Sequence, residues 1–208
     1  MNAVIQSRFE LHMEKWQSCT ACPLCKTRQK VVLARGKLPC DVCFIGEAPG
    51  ESEDCLGAPF VGPAGQLLDG IVLRAFAGVL LGVGAITDQD VSDGEPPRVA
   101  FANLVCCIPR DEATGGKTAQ PEHDDILTCQ VRLEEFVWDV AKPQLVVAVG
   151  KLAEDYLDQG YKHSLKLPKG TKQVSIVHPA AIIRASEAQR GLMAQRAEII
   201  LRDAVEEL

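Results

Sequence analysis

Four short apolar runs, each bounded by turn-forming residues and followed by a stretch of helical length, constrain this chain more than any other feature. The runs are Asp41 to Gly46, Arg98 to Val105, Gln144 to Gly150 and Lys172 to Val177. Continuous apolar runs of this length, without strict polar alternation, belong to strands buried on both faces. Pro63 to Leu81, Pro121 to Ala141, Lys151 to Gln159 and Glu187 to Leu208 read as helices. The first two carry proline in the first turn, where its missing N–H has no helical partner to lose. Strand and helix alternating in this way predict an α/β fold, a three-layer αβα sandwich around a central four-stranded parallel sheet. With 208 residues, the chain is expected to form a single domain, 1–208.

The longest apolar stretches are too short to cross a bilayer. Ile71 to Leu73 is cut by Arg74, and Ala75 to Val83 holds two glycines. Met1 to Glu14 lacks the apolar core of an export signal, so a cytoplasmic, monomeric chain without membrane contact is expected. Thiols in that compartment are kept reduced, so the nine cysteines need a use other than a disulfide framework.

The net charge of −6 speaks against an indiscriminate nucleic-acid binder, yet the charge is segregated. Residues 1–40 carry Arg8, Lys15, Lys26, Arg28, Lys30, Arg35 and Lys37 against Glu10 and Glu14. Residues 160–196 carry Lys162, Lys166, Lys169, Lys172, Arg184, Arg190 and Arg196 against Glu187. These are either two solvated faces or one phosphate-facing surface assembled by the fold.

Ligands of parallel sheets bind beyond the carboxyl ends of the strands. The first strand ends in Gly46-Glu47-Ala48-Pro49-Gly50, the second carries Asn103, and the fourth runs into His178-Pro179-Ala180-Ala181-Ile182-Ile183-Arg184. Each of the three polar residues has an ordinary alternative: an exposed Glu, a turn-capping Asn, a His bonded to backbone. Their joint placement at strand ends marks a candidate crevice. Residues 83–97 form an acidic loop and Asp111 to Gln120 a second loop. Gly115-Gly116-Lys117-Thr118 imitates the end of a phosphate-binding P-loop, but Asp111 stands where glycine is needed and Pro121 interrupts the following helix.

Cys19-x2-Cys22-x2-Cys25 opens like a ferredoxin run, but the fourth cysteine of that run is missing, so further ligands must come from a distance. Cys107 and Cys129 are candidates, whereas Cys43 reads as a small buried hydrophobe. Spacing alone leaves zinc, an iron–sulfur cluster and a metal-free set of buried thiols open.

Taken together, the motifs resemble a known family. Gly46-Glu47-Ala48-Pro49-Gly50 through Glu53-Asp54, Gly57, Pro59-Phe60-Val61-Gly62 and Ala64-Gly65-Gln66-Leu67-Leu68 resembles the first active-site motif of family 4 uracil-DNA glycosylases. The segment His178 to Arg184 is similar to the second motif of that superfamily. Cys19-x2-Cys22-Pro23-Leu24, Asn103 to Pro109, and Cys129 match the family's asparagine and cluster cysteines. The resemblance spans roughly residues 15 to 185.

It implies a DNA repair enzyme that flips uracil out of DNA and hydrolyses its N-glycosidic bond, with Glu47 and His178 catalytic. Gly46, Ala48, Phe60 and Asn103 would hold the base, and Ile182, Ile183 and Arg184 would contact DNA. Cys19, Cys22, Cys107 and Cys129 would hold a [4Fe–4S] cluster. The partner would be uracil-containing DNA, single- or double-stranded. A same-fold glycosylase for another deaminated base, or a non-catalytic iron–sulfur nucleic-acid-binding module, are the alternatives. The chain departs from the family in placing Cys106, not Lys, before the third cluster cysteine and in having Cys25. Loop 83–97 and the Cys107 to Cys129 spacing look longer than usual. No histidine lies between Pro109 and Pro121, so the covalent uracil trapping of a related branch is not expected.

Overall fold

A computed structural model describes residues 3–81, 96–111, 116–158 and 160–208. Its centre is a sheet in the order β1 (Ala34–Gly36), β3 (Val99–Asn103), β2 (Val42–Gly46), β6 (Leu145–Val149) and β7 (Lys172–Ile176). Strands β3, β2, β6 and β7 run parallel, as the four apolar runs require. The sheet has five strands, not four. The fifth, β1, pairs antiparallel with β3 and is too short and too polar to register as an apolar run.

Both faces of the sheet are covered. Val42 and Phe44 of β2 point into one apolar layer, Cys43 and Ile45 into the other, as the two-residue period of a strand dictates. The first layer is closed by α3 (Pro63–Leu81), α6 (Pro179–Arg184) and α7 (Glu187–Glu206). The second is closed by α4 (His123–Glu135), its π-helical continuation Phe136–Ala141, and α5 (Lys151–Leu157). Helix α1 (Ala3–Trp16) adds Phe9, Met13 and Trp16 to that layer. Phe44, Phe101 and Phe136 are buried almost completely, each worth about 1.5–3 kcal/mol of transfer free energy.

Two segments differ from their expected form. After β2 the chain enters a helix, α2 (Glu51–Leu56), capped by Gly57 at φ +83°, where a plain turn is expected. A second small sheet pairs β4 (Arg110–Asp111) antiparallel with β5 (Lys117–Thr118). Arg110 pins it to α2 through Glu51, at 2.6 and 2.8 Å, and through buried Asp54 at 3.2 Å. Lys117 and Thr118 are strand residues, so the P-loop imitation is excluded structurally. The acidic loop falls mostly on residues 82–95, outside the described residues. Among the described residues no helix is long and apolar enough to cross a membrane.

Candidate active site

The parallel ladder between β2 and β3 continues past both strands. Gly46 lies in register with Asn103, and the Leu104 and Val105 amides donate to the Gly46 and Glu47 carbonyls at 2.8 and 3.2 Å. The side chains of Glu47 and Asn103 therefore emerge at one end of the sheet. A cleft of about 370 Å³ opens there, lined among others by Glu47, Ala48, Phe60, Asn103, His178 and Arg184. The three polar strand-end residues anticipated from the sequence share this cleft.

Each is held by its local structure. Burial pushes the Glu47 carboxyl above the ordinary glutamate range, and a hydrogen bond with the Gln120 side chain opposes that shift. His178 caps α6: its Nδ1 accepts the Ala180 amide at 3.1 Å, so the proton of the neutral ring sits on Nε2. Burial, then the Arg184 charge, push its pKa down, and Glu53 acts in the opposite direction. The ring is thus a neutral donor at neutral pH. Gly150 makes room for it, since a Cβ there would lie 2.9 Å from His178 Cβ.

Phe60 adopts a left-handed backbone at φ +55°, uncommon for a bulky residue. Arg35 holds it there, donating to the Pro59 carbonyl at 2.7 Å, the Phe60 carbonyl at 3.1 Å and Asp69 at 2.6 Å. Helix α3 presses from the other side: a Cβ on Gly65 would fall 1.9 Å from the Phe60 carbonyl oxygen. Glu53 ties the loop together by accepting the amides of Gly50, Val61 and Gly62 at 3.1, 2.9 and 2.7 Å. Sequence reasoning missed the roles of Arg35, Glu53 and Gln120, because each works through a contact that no local pattern encodes.

The second motif corrects one expectation. Ile182 is 2% exposed and packs with α3 and α7, so it is not placed to enter DNA. The helical turn of α6 leaves Ile183, 39% exposed, and Arg184 on the surface. The basic segments are also less free than their formal charge suggests. Arg8 faces Asp139, Lys15 bonds Glu135, Arg28 donates to Cys107 at 3.2 Å, and Lys172 reaches Glu207.

On the other side of the Asn103–Leu104 backbone a second cavity is lined by Cys19, Cys22, Cys106, Cys107 and Cys129, with Arg28 and Arg132. The four expected ligands are among them, and Cys25, Cys40, Cys43 and Cys55 are not. Cys106 Sγ lies 3.9 Å from that of Cys107 and 3.6 Å from that of Cys129. The Cys106 thiol is pushed up to about 11, first by its contact with Cys107; the Cys107 thiol is lowered by the same contact and by Arg28. Among the described residues no three His, Cys, Asp or Glu side chains converge on a single metal ion. A polynuclear cluster gives each iron its own cysteine and needs no such convergence. All-thiol donors beside two guanidiniums, with Nε and Nη1 of buried Arg132 unpartnered, fit an anionic iron–sulfur cluster.

The family model of the uracil DNA glycosylase superfamily matches residues 34–202. The chain is similar to three proteins named type-4 uracil-DNA glycosylase. That of Thermotoga maritima is 31% identical over 85% of this chain and 83% of its own length. That of Saccharolobus solfataricus is 32% identical over 72% of this chain and 58% of its own. That of Pyrobaculum aerophilum is 33% identical over 69% and 61%.

Proposed function

Because the chain belongs to the type-4 uracil-DNA glycosylases of the uracil DNA glycosylase superfamily, and so excises uracil from DNA, we propose that Glu47 and His178 carry the reaction from opposite sides of the flipped nucleotide. Breaking the N-glycosidic bond builds positive charge on the sugar and negative charge on the departing base, so the site must stabilise both at once. Glu47 serves the sugar side, where its carboxylate stabilises the oxocarbenium-like carbon and takes a proton from the attacking water. Burial suits it to that task by raising its proton affinity.

His178 serves the base side. Its Nε2–H donates to the uracil carbonyl oxygen as charge builds, and the ring gives up no proton in doing so. Phe60 stacks on the base, and the Asn103 amide accepts from uracil N3–H while donating to O4. Ile183 and Arg184 fill the position that the flipped nucleotide leaves empty, a role their exposure at the end of α6 supports. An abasic site and free uracil are the products.

Cys19, Cys22, Cys107 and Cys129 would hold the [4Fe–4S] cluster, which would supply a structural brace joining the segment after α1, the segment after β3, and α4. The observation that carries this reading is the single cleft shared by Glu47, Phe60, Asn103 and His178. Purified protein is incubated with oligonucleotides bearing uracil, hypoxanthine or xanthine, single- and double-stranded, and abasic sites are revealed by alkaline cleavage. Cleavage at uracil that Glu47→Gln loses is expected. Cleavage at hypoxanthine or xanthine with none at uracil would overturn the reading.

A further inference from the structure

Arg132 joins the two cavities. Its side chain is 1% exposed, and Nη2 donates to the backbone carbonyls of Asn103 at 2.7 Å and Leu104 at 3.2 Å. The guanidinium also lines the cysteine cavity, three residues on from Cys129 on the same face of α4. Its Nε and Nη1 have no hydrogen-bond partner. Arginine stays charged under all ordinary conditions, and a buried charge without a counter-ion is strongly unfavourable. The groups that attract it most are the sulfurs of Cys129, Cys106 and Cys107, with the Cys129 sulfur near enough to act as a weak acceptor. Neutral thiols would be poor partners. Four thiolates around an iron–sulfur core carry net negative charge and suit the two unpartnered donors well.

We infer that Arg132 is a positioning residue that makes base reading depend on the cluster: the anionic cluster assembly keeps the guanidinium buried, and the guanidinium fixes the Asn103–Leu104 backbone from which the base-reading amide projects. This rests on the uracil and cluster readings above. The two halves separate by substitution. Arg132→Lys keeps a positive charge but replaces the planar fork with a single point donor. Arg132→Met keeps bulk and removes both.

The test uses anaerobically purified holoprotein. Iron per chain and the rate of visible bleaching under an iron chelator report on the cluster; direct binding of free uracil, measured by calorimetry, reports on base reading without requiring turnover of DNA. Arg132→Met is expected to bleach about 10-fold faster or more, as loss of an outer partner of a metal site does. Arg132→Lys should bleach near the wild-type rate. Both variants should bind free uracil about 10-fold more weakly, the effect of loosening one hydrogen-bonded clamp. Wild-type uracil affinity in both variants overturns the positioning role. A cluster in Arg132→Met as durable as the wild type overturns the counter-ion role. Should Arg132→Met fail to fold, Arg132→Lys decides alone: weaker uracil binding with the cluster retained upholds the inference, and unchanged binding sinks it. A wild-type protein without iron or uracil excision overturns the underlying readings instead, and the inference falls with them.

Discussion

Gly46 and Phe60 approach so closely that a Cβ on the glycine would stand 2.4 Å from Cζ of the phenyl ring, and 2.6 Å from Oδ1 of Asn103. The absence of a side chain at the last residue of β2 is what lets the Phe60 ring and the Asn103 amide meet over one point. Phe60 cannot retreat freely, because Arg35 and Gly65 hold its backbone and Phe101 packs against its ring at 5.8 Å. Gly46→Ala is therefore expected to lower stability by about 1–3 kcal/mol through overpacking. Uracil excision should fall further than that loss explains, since ring and amide are displaced together. Thermal unfolding and single-turnover kinetics at saturating enzyme check this; full activity with an unchanged Tm would show that the pocket relaxes without harm.

The elevated proton affinity of Glu47 sets a pH dependence. The proposed mechanism needs the carboxylate, so the rate should fall on the acid side at a pH above the ordinary glutamate value of about 4.3. Gln120→Ala removes the hydrogen bond that favours the ionised form, and the acid limb should move to higher pH. Glu47→Gln should reduce the single-turnover rate by about 10²-fold or more while leaving DNA affinity nearly unchanged.

Stability follows with the opposite sense. A carboxyl whose folded-state pKa is raised contributes stability below its unfolded pKa and loses it as pH rises through the folded value. Glu47→Gln should accordingly be more stable than the wild type at neutral pH, with the gain vanishing at acid pH. Chemical denaturation at two pH values measures it, and a variant less stable at neutral pH would show that the charge is well solvated after all.

Adjacent Cys106 and Cys107 both line the cysteine cavity, and the proposed cluster takes one of them, Cys107, as its ligand. Arg28 Nη1 lies 3.2 Å from Cys107 Sγ, placing a fixed positive charge beside the sulfur that must be anionic, and the same residue matches the family's ligand pattern. Cys107→Ser is expected to lose colour and iron, and Cys106→Ser to keep both. Iron content of about four per chain in Cys106→Ser would bear this out. The reverse pattern assigns the ligand to Cys106, whose sulfur faces Cys129 at 3.6 Å.

The parallel core was legible because β2, β3 and β6 are buried on both faces and so carry unbroken apolar runs, whereas β7, at the sheet edge, is only partly buried and mixes Lys172, Gln173 and Ser175 with its apolar residues. The elements missed are those whose stability comes from elsewhere. Ala34–Gly36 is a strand only because β3 offers it an edge, and α6 exists only because Pro179 and the His178 cap begin it. Without that turn of helix the sequence points Ile182 at DNA, whereas its geometry in the free protein sends it inward. In the site, Glu47, Asn103 and His178 were legible from their positions at strand ends. Arg35, Glu53, Gln120 and Arg132 were not, since each acts on backbone or side chains brought close only by the fold.

Asn103 is the sharpest probe of how the base is read. It is 2% exposed and lines the cleft, and in the proposed reading its amide is met by the base when the cleft is filled. Uracil presents an N3–H donor and an O4 acceptor, which one amide satisfies together. Cytosine presents an N3 acceptor and an amino donor, and leaves both contacts mismatched at about 1–3 kcal/mol each. Two such mismatches would protect normal cytosine in DNA by roughly two to four orders of magnitude. Replacing Asn103 with Asp keeps the shape and removes the donor facing O4, so uracil excision should drop steeply. An ionised carboxylate in the same place accepts from the cytosine amino group, and slow excision of cytosine from mispaired or single-stranded DNA is expected. Single-turnover assays on otherwise identical uracil and cytosine oligonucleotides measure both changes. If Asn103→Asp excises uracil at the wild-type rate, the side chain does not read the base, and recognition must come from backbone groups of the Glu47 to Gly50 turn.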